Sequence, residues 1–226
     1  MSLASVSPDS LSAEAGQAIL DLLVSLAESK HFLGFQYASW CIRSPSIEAD
    51  IALAGMAQEE LGHAMVMGSL LGEDLKHTVP GKNTVVTWDR WSEPTAASAP
   101  FKMIESWPEM IVTCLALDAT ATATLEALKS SSYLRLAQRA RKIVQEEQFH
   151  LMFGVETART FATLTREARR GLAADYQRVL GEAEARLASV ETLSRLAALG
   201  MLAPGAVEAR AEFLEGVTHR LNDALG

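Results

Sequence analysis

The chain has 226 residues, a formal net charge of −8, and 49% hydrophobic but only 6% aromatic residues. Frequent Ala, Leu, Glu and Arg favour helices over strands, and the acidic charge argues against a nucleic-acid-binding protein. Cys41 and Cys114 are too far apart to form a metal-binding motif or a disulfide framework. There is no basic segment followed by an apolar core, as in a signal peptide. No apolar run approaches the roughly 18 residues of a membrane span. We therefore expect a soluble cytoplasmic protein.

Helical periodicity and capping residues divide the first half of the chain. Residues 1–10 are predicted to be a loose tail, and the first helix covers about 12–41. Its apolar stripe consists of Ile19, Leu22, Leu23, Leu26, Phe32, Phe35 and Ala38. The break at 43–46 ends this helix, and Ser46 is a suitable N-cap for a second helix over about 47–71. Residues 73–106 have no sustained period, which predicts a long crossover with a short extended segment at 85–91.

The second half of the chain continues the helical pattern. Ser106, followed by Trp107 and Pro108, predicts the start of a third helix over about 107–128. After a turn at 129–132, the fourth helix covers about 133–161. C-terminal helices follow within 164–224, at about 164–188, 190–201 and 204–221. The prediction is one all-α domain over 1–226: a four-helix bundle with a long connection between the second and third helices and extra C-terminal helices. The apolar faces of these extra helices exceed what a four-helix core needs, which predicts an oligomer.

One short motif occurs twice. Residues 58–65 read Gln-Glu-Glu-Leu-Gly-His-Ala-Met, and residues 145–152 read Gln-Glu-Glu-Gln-Phe-His-Leu-Met. Each copy places a Glu three residues before a His, and residues at this spacing are neighbours on one face of a helix. Two Glu-x-x-His motifs are typical of di-iron four-helix bundles, which need one further carboxylate from each of the other two helices. The motif residues are Glu60, His63, Glu147 and His150.

Hairpin symmetry selects the carboxylate on the first helix. In an antiparallel hairpin, residues equidistant from the turn lie at the same height. Glu28 and Glu60 have their midpoint at position 44, inside the break at 43–46. Glu14 would require a turn near position 37, within a good helical run, so Glu28 is the better candidate.

The same argument selects the carboxylate on the third helix. Asp118 and Glu147 have their midpoint between 132 and 133, at the end of the Ser-rich break. Glu126 would require a turn near 136, where nothing stops a helix. Asp118 is therefore the candidate.

Each of the four acids lies within the apolar stripe of its helix. Burial of an unpaired carboxylate costs several kcal/mol, whereas four carboxylates balance the charge of two divalent cations. Carboxylate and imidazole ligands suit iron or manganese. The candidate metal ligands and catalytic residues are Glu28, Glu60, His63, Asp118, Glu147 and His150.

Neighbouring groups of the same types have simpler explanations. Glu28 and His31 form a third Glu-x-x-His, which shows that one copy is weak evidence, and we expect His31 to be a core or outer-shell histidine. Glu59 and Glu146 are expected to point away from the metal or to accept hydrogen bonds from its ligands.

Three stretches resemble the oxygenase subunits of phenylacetate catabolism: residues 40–48 (Trp-Cys-Ile-Arg-Ser-Pro-Ser-Ile-Glu), 50–54 and 58–63. These are the ferritin-like catalytic and structural subunits of phenylacetyl-CoA epoxidase, and benzoyl-CoA epoxidase is a relative. The resemblance covers most of 15–160 and implies a ferritin-like fold. Asp118 matches an Asp on the third helix of the catalytic subunits. The structural subunit has lost the Glu-x-x-His ligands, so the resemblance implies a catalytic subunit here, or a stand-alone relative of one.

The leading hypothesis is a di-iron oxygenase of the epoxidase or monooxygenase type that acts with O2 on an aromatic or other acyl-CoA. It would contain two iron ions, or manganese at one or both positions. A separate reductase is expected, because the sequence has no flavin, nicotinamide or iron–sulfur motif. Further expected partners are a second copy of the chain or a homologous subunit. The alternatives are a ferroxidase or peroxidase like ferritin and rubrerythrin, and a non-catalytic structural subunit of a multicomponent oxygenase.

Overall fold

The computed structural model describes residues 11–73, 104–187 and 190–226. These residues form helices and no strand. The helices are α1 (Ala13–Trp40), α2 (Ile47–Glu73), α3 (Trp107–Leu128), α4 (Leu134–Ala162), α5 (Arg166–Arg186), α6 (Val190–Ala198) and α7 (Ala206–Leu225). The predicted tail at 1–10, most of the predicted crossover and its extended segment at 85–91 lie outside the described residues.

Side-chain caps explain why several helices begin where they do. The hydroxyl of Ser12 accepts a hydrogen bond from the backbone N–H of Ala15 at 3.1 Å, and Ser46 accepts one from Ala49 at 3.2 Å. Ser106 caps α3 in the same way, with a proline in the first turn. Such caps satisfy N–H groups that have no partner within the helix. The first four helices lie within two residues of their predicted ranges.

The first four helices form a closed ring of neighbours. α1 packs against α2, α3 against α4, α1 against α3, and α2 against α4. The extra helices cover this bundle: α5 and α7 pack on α3, α7 also contacts α4, and α6 contacts α1. The predicted all-α, ferritin-like bundle with additional C-terminal helices is confirmed. The assignment of the whole chain to one domain stays a prediction.

The apolar faces of the C-terminal helices are used inside the chain. Leu172, Tyr176 and Val179 of α5, with Leu214, Val217 and Leu221 of α7, are buried in one cluster with α3 and α4 side chains. The sequence argument that these faces indicate an oligomer is therefore wrong, because α3 and α4 bury them. The oligomer itself stays a prediction.

The apolar stripe of α1 differs from the predicted one in its second half. Phe35 is 56% exposed and Ala38 is exposed, whereas Leu33, Tyr37 and Trp40 are buried. The prediction followed apolar residues alone, but the side of α1 that faces the bundle includes Lys30, which is 1% exposed. Because Lys30 is charged, a prediction based on the spacing of apolar residues does not identify this face as buried.

A polar layer divides the apolar core of the bundle. On α1, Lys30 lies between the cluster that contains Leu26 and the cluster that contains Leu33. On α3, Asp118 separates the same two clusters, between Leu117 and Ala121. The layer is therefore closed above and below by apolar side chains, which keep it away from solvent.

α3 is long and apolar enough to span a membrane by length and composition, although the sequence count of apolar runs predicted no such segment. In the 18-residue stretch of α3 that meets this criterion, 94% of the residues are buried. This burial fits a core helix of a soluble protein.

Candidate metal centre

Four buried side chains from three helices meet in the polar layer. They are Glu60 of α2, Asp118 of α3, and Glu147 and His150 of α4. One ligand atom from each lies within 4.8 Å of all the others. None of the four is more than 1% exposed. The structure thus brings together four of the six residues predicted as ligands.

The two Glu-x-x-His motifs exchange contacts across the layer. His150 Nδ1 lies 2.9 Å from Glu60 Oε1, and His63 Nδ1 lies 3.0 Å from Glu147 Oε1. Each histidine therefore meets the glutamate of the other motif. His63 is 5% exposed and contributes to this arrangement, although it lies outside the tightest group of four. The Nδ1 atoms of both rings point towards the centre.

The preceding glutamate of each motif holds the outer nitrogen of the opposite histidine. Glu59 Oε2 lies 2.8 Å from His150 Nε2, and Glu146 Oε2 lies 2.9 Å from His63 Nε2. The outer contact sets the ring orientation and favours an Nε2 proton, which would leave Nδ1 available to a metal ion. Of the two alternatives predicted for Glu59 and Glu146, the structure shows the second, hydrogen bonds with the candidate ligand histidines.

A lysine that the sequence reasoning missed occupies the middle of the cluster. Lys30 Nζ lies 2.7 Å from Glu147 Oε1, 3.0 Å from Glu60 Oε1 and 3.1 Å from Asp118 Oδ1. The ammonium group therefore contacts all three carboxylates of the cluster. Its signal in the sequence is a charged residue 30 positions before Glu60, but the hairpin-symmetry argument takes only carboxylates as candidates.

Glu28, the predicted ligand from α1, is half-buried and is not part of the cluster. Hairpin symmetry placed it at nearly the right height, since a helix rises 1.5 Å per residue and Lys30 is only two positions away. A helix also turns by about 100° per residue, so positions 28 and 30 point in nearly opposite directions. Counting from the turn determines the height of a residue but not its direction, which is why Glu28 was selected.

His31 lies outside the cluster, as expected. Its ring is half-buried and packs at 4.8 Å from the ring of Phe35. Burial lowers the pKa of His31.

The electrostatics of the layer follow from burial and close opposite charges. Burial disfavours the charged form of Lys30, but the charges of Glu147, Glu60 and Asp118 outweigh it and raise the pKa of Lys30. Burial likewise opposes protonation of His150, and hydrogen bonds to Glu147 and Glu60 outweigh it and raise the pKa to about 11. Burial and the charge of Glu147 raise the pKa of Glu60. The pKa of Glu147 is lowered despite burial, because Lys30 and the histidines favour its carboxylate.

A small cavity adjoins the cluster. The phenol of Tyr37 donates a short hydrogen bond to Asp118 Oδ2. Burial and the charge of Asp118 raise the pKa of this phenol, so it stays protonated. Tyr37 and His150 also line the cavity, whose volume of about 10 Å³ matches the space that one water molecule needs. The remaining walls are mostly apolar and include Met56, Met110, Cys114 and Phe153.

The side chains fit a bound metal ion by their chemistry. Carboxylate oxygens and imidazole nitrogens are the ligands that iron and manganese accept. Glu60 Oε2 is buried and has no hydrogen-bond partner among the described residues, so it is a donor atom available to a cation. Glu60, Asp118, Glu147 and His150 could therefore hold a metal ion. The charge of Lys30, however, already balances one of the three carboxylates.

Comparison with proteins of curated function gives no significant match. The family model described as phenylacetic acid catabolic protein matches residues 4–225, which is nearly the whole chain. The match includes both Glu-x-x-His motifs and Asp118. It also includes the C-terminal helices, which lie beyond the range of about 15–160 covered by the resemblance in the sequence. The chain therefore belongs to the phenylacetic acid catabolic protein family.

Proposed function

We propose that this protein is an oxygenase-type subunit of phenylacetate-like catabolism, with a metal-dependent reaction at the buried cluster. The observation that carries the proposal is the group formed by Glu60, Asp118, Glu147 and His150 in a member of this family. The substrate is an aromatic or other acyl-CoA together with O2, and the product is an epoxide or a related oxygenated acyl-CoA. The protein works in the cytoplasm.

Two sets of residues have different roles at the site: one set binds the metal ion and the other orients the histidine rings. Glu60, Asp118, Glu147 and His150 hold the metal, and Glu59 and Glu146 keep the imidazole rings in position through their outer nitrogens. When bound, iron supplies the redox chemistry that couples O2 to oxygenation of the substrate. The apolar layers above and below exclude water from the reacting groups.

The cavity beside His150 is the proposed approach to the site. Its volume of about 10 Å³ suits a molecule as small as water or O2, but not an aromatic acyl group. Entry of the acyl group therefore requires movement of wall side chains such as Met56, Met110 and Phe153. Electrons come from a separate reductase, and the protein assembles with a second copy or with a homologous subunit.

Elemental analysis after anaerobic loading with iron tests the metal centre. The wild type should retain iron after desalting, and the Glu60→Gln, Glu147→Gln double variant should lose it, because both glutamates lie in the cluster. A Glu156→Gln variant is a suitable control, since this α4 residue is 57% exposed and pairs with Arg159. Turnover of acyl-CoA with a reductase then tests the reaction. No retained iron in the wild type would refute the metal-dependent proposal.

A second function is favoured by Lys30. An ammonium group that contacts all three carboxylates can stabilise the layer without any metal. In that case the protein is the non-catalytic structural subunit of a multicomponent oxygenase. This alternative predicts no retained metal under any loading condition, together with tight binding to a homologous catalytic subunit.

A further inference from the structure

The bundle has an internal two-fold relationship that pairs α1 with α3 and α2 with α4. The two Glu-x-x-His motifs on α2 and α4 exchange equivalent contacts across the polar layer. Under this relationship, Asp118 of α3 needs a counterpart on α1. Lys30 lies ten residues before the end of α1, and Asp118 lies ten residues before the end of α3. Glu60 and Glu147 each lie thirteen residues after the start of their helices. Lys30 is thus the counterpart of Asp118.

The position of Lys30 agrees with this equivalence. Its ammonium group is buried and lies between 2.7 and 3.1 Å from a carboxylate oxygen of Glu60, Asp118 and Glu147. A cation that bridges carboxylates of α2, α3 and α4 does what a bound metal ion would do at this point. Glu28, the nearest carboxylate on α1, lies outside the cluster.

We infer that the ammonium group of Lys30 replaces one of two metal ions, so that the cluster binds one divalent cation per chain, held by Glu60, Asp118, Glu147 and His150. This inference rests on the proposed metal-dependent function, because it assumes that the cluster binds a metal at all. It departs from the two-ion site expected from the six predicted ligands.

The charges of the buried layer support a single ion. Three carboxylates and one ammonium group leave two negative charges when the histidines bind as neutral ligands. One divalent cation balances them. Two divalent cations would leave two positive charges among these buried groups, and the carboxylates that could offset them, Glu59 and Glu146, are 47% and 35% exposed and face the outer nitrogens of the histidines.

The side-chain atoms available as metal ligands also indicate one divalent cation per chain. With Lys30 in place of a carboxylate, the position nearer α1 would keep His63, whereas Glu28 of α1 lies outside the group of four. The position nearer α3 would keep all four members of that group, Glu60, Asp118, Glu147 and His150. The single ion therefore belongs to the side of the layer formed by α3 and α4.

Manganese(II) is a suitable probe, because the number of ions and their spacing can both be measured without activity. The wild type should retain one manganese per chain by elemental analysis and show the EPR spectrum of an isolated ion. The Lys30→Glu variant supplies the missing carboxylate, so it should retain two ions per chain and show a spin-coupled spectrum. Lys142→Glu, at an α4 position that is 69% exposed, is the matched control and should retain one ion.

Several results would overturn the inference. Two coupled ions in the wild type would refute it and still support the proposed metal centre, and this test needs no variant to fold. One ion in both the wild type and a folded Lys30→Glu variant would show that Lys30 does not replace a metal. No ion in the wild type but two in Lys30→Glu would refute the single-ion count and favour the structural subunit. No ion in either protein would refute the proposed function as well.

Discussion

At the scale of single residues, the polar layer is held together by ion pairs that cross between helices. Lys30 of α1 contacts carboxylates from α2, α3 and α4, so it joins all four helices of the bundle. Removal of one partner from such a buried network leaves unpaired charge in the core, which destabilises the fold. The metal-free bundle therefore depends on this one side chain.

Replacement of Lys30 by Met should destabilise the metal-free protein by about 3–5 kcal/mol, because three carboxylates then lose their buried cation. Urea denaturation followed by circular dichroism measures the change. Lys142→Met is the matched control, since Lys142 is 69% exposed and pairs with Glu146 at 3.5 Å. Its cost should be below about 1 kcal/mol. Equal stability of the two variants would contradict the stabilising role of Lys30.

The outer glutamates allow a separate prediction on metal affinity. Glu59→Ala should weaken manganese binding by about 10- to 100-fold, because His150 loses the contact that orients its ring. The number of ions bound at saturation should not change, since Glu59 is not part of the cluster. Isothermal titration calorimetry gives both quantities. Glu156→Ala, on an exposed part of α4, is expected to bind like the wild type.

At the scale of the helices, small residues set the distance between neighbours. A Cβ atom built on Gly34 of α1 would lie 2.8 Å from Cγ and 3.2 Å from the backbone nitrogen of Leu61 on α2. One built on Gly154 of α4 would lie 2.9 Å from Leu115 Cδ1 on α3. The glycines thus let each hairpin close tightly, and this brings the motif helices to the polar layer.

Gly34→Ala should therefore destabilise the protein by about 1–3 kcal/mol, because the added methyl group forces α1 and α2 apart. Gly55→Ala is the opposite case on α2. Among the described residues, no atom outside its own stretch of α2 lies within 4 Å of its built Cβ, and alanine favours the helix by roughly 0.5–1 kcal/mol. Thermal unfolding should show melting temperatures that move in opposite directions. A stabilising Gly34→Ala would refute the close approach.

At the scale of the whole molecule, the C-terminal helices complete the fold around α3. This helix carries Asp118, and the contacts of α5 and α7 bury its outer side. A four-helix bundle alone would leave that apolar side in solvent. The additional helices therefore support the element that positions one of the carboxylates.

Leu221→Ala in α7 should cost about 2–5 kcal/mol, since this side chain is 1% exposed in the cluster shared with α3, α4 and α5. Leu164→Ala, at a position that is 68% exposed, should change the stability by less than about 0.5 kcal/mol. Denaturant titration compares the two variants. A small effect of Leu221→Ala would indicate that α7 is not part of the cooperative core.

Much of the fold followed from local features of the sequence. Ser46 and Ser106 cap helices because their hydroxyl groups meet backbone N–H groups nearby in the chain. The spacing of Glu60 and His63 places them on one helical face for the same local reason. Asp118 was also found from the sequence, since the turn at 129–132 determined its height and its apolar neighbours indicated a buried face.

The sequence by itself thus determined the helices, the doubled motif and the residue types of the candidate metal-binding layer, because each depends on contacts within a few positions. Only the tertiary structure decided which side of α1 faces the layer, so Lys30 took the place predicted for Glu28. It also decided that each histidine meets the glutamate of the other motif, and that α5 and α7 bury their apolar faces on α3 and α4. These outcomes depend on the rotation and packing of whole helices, which join residues far apart in the chain.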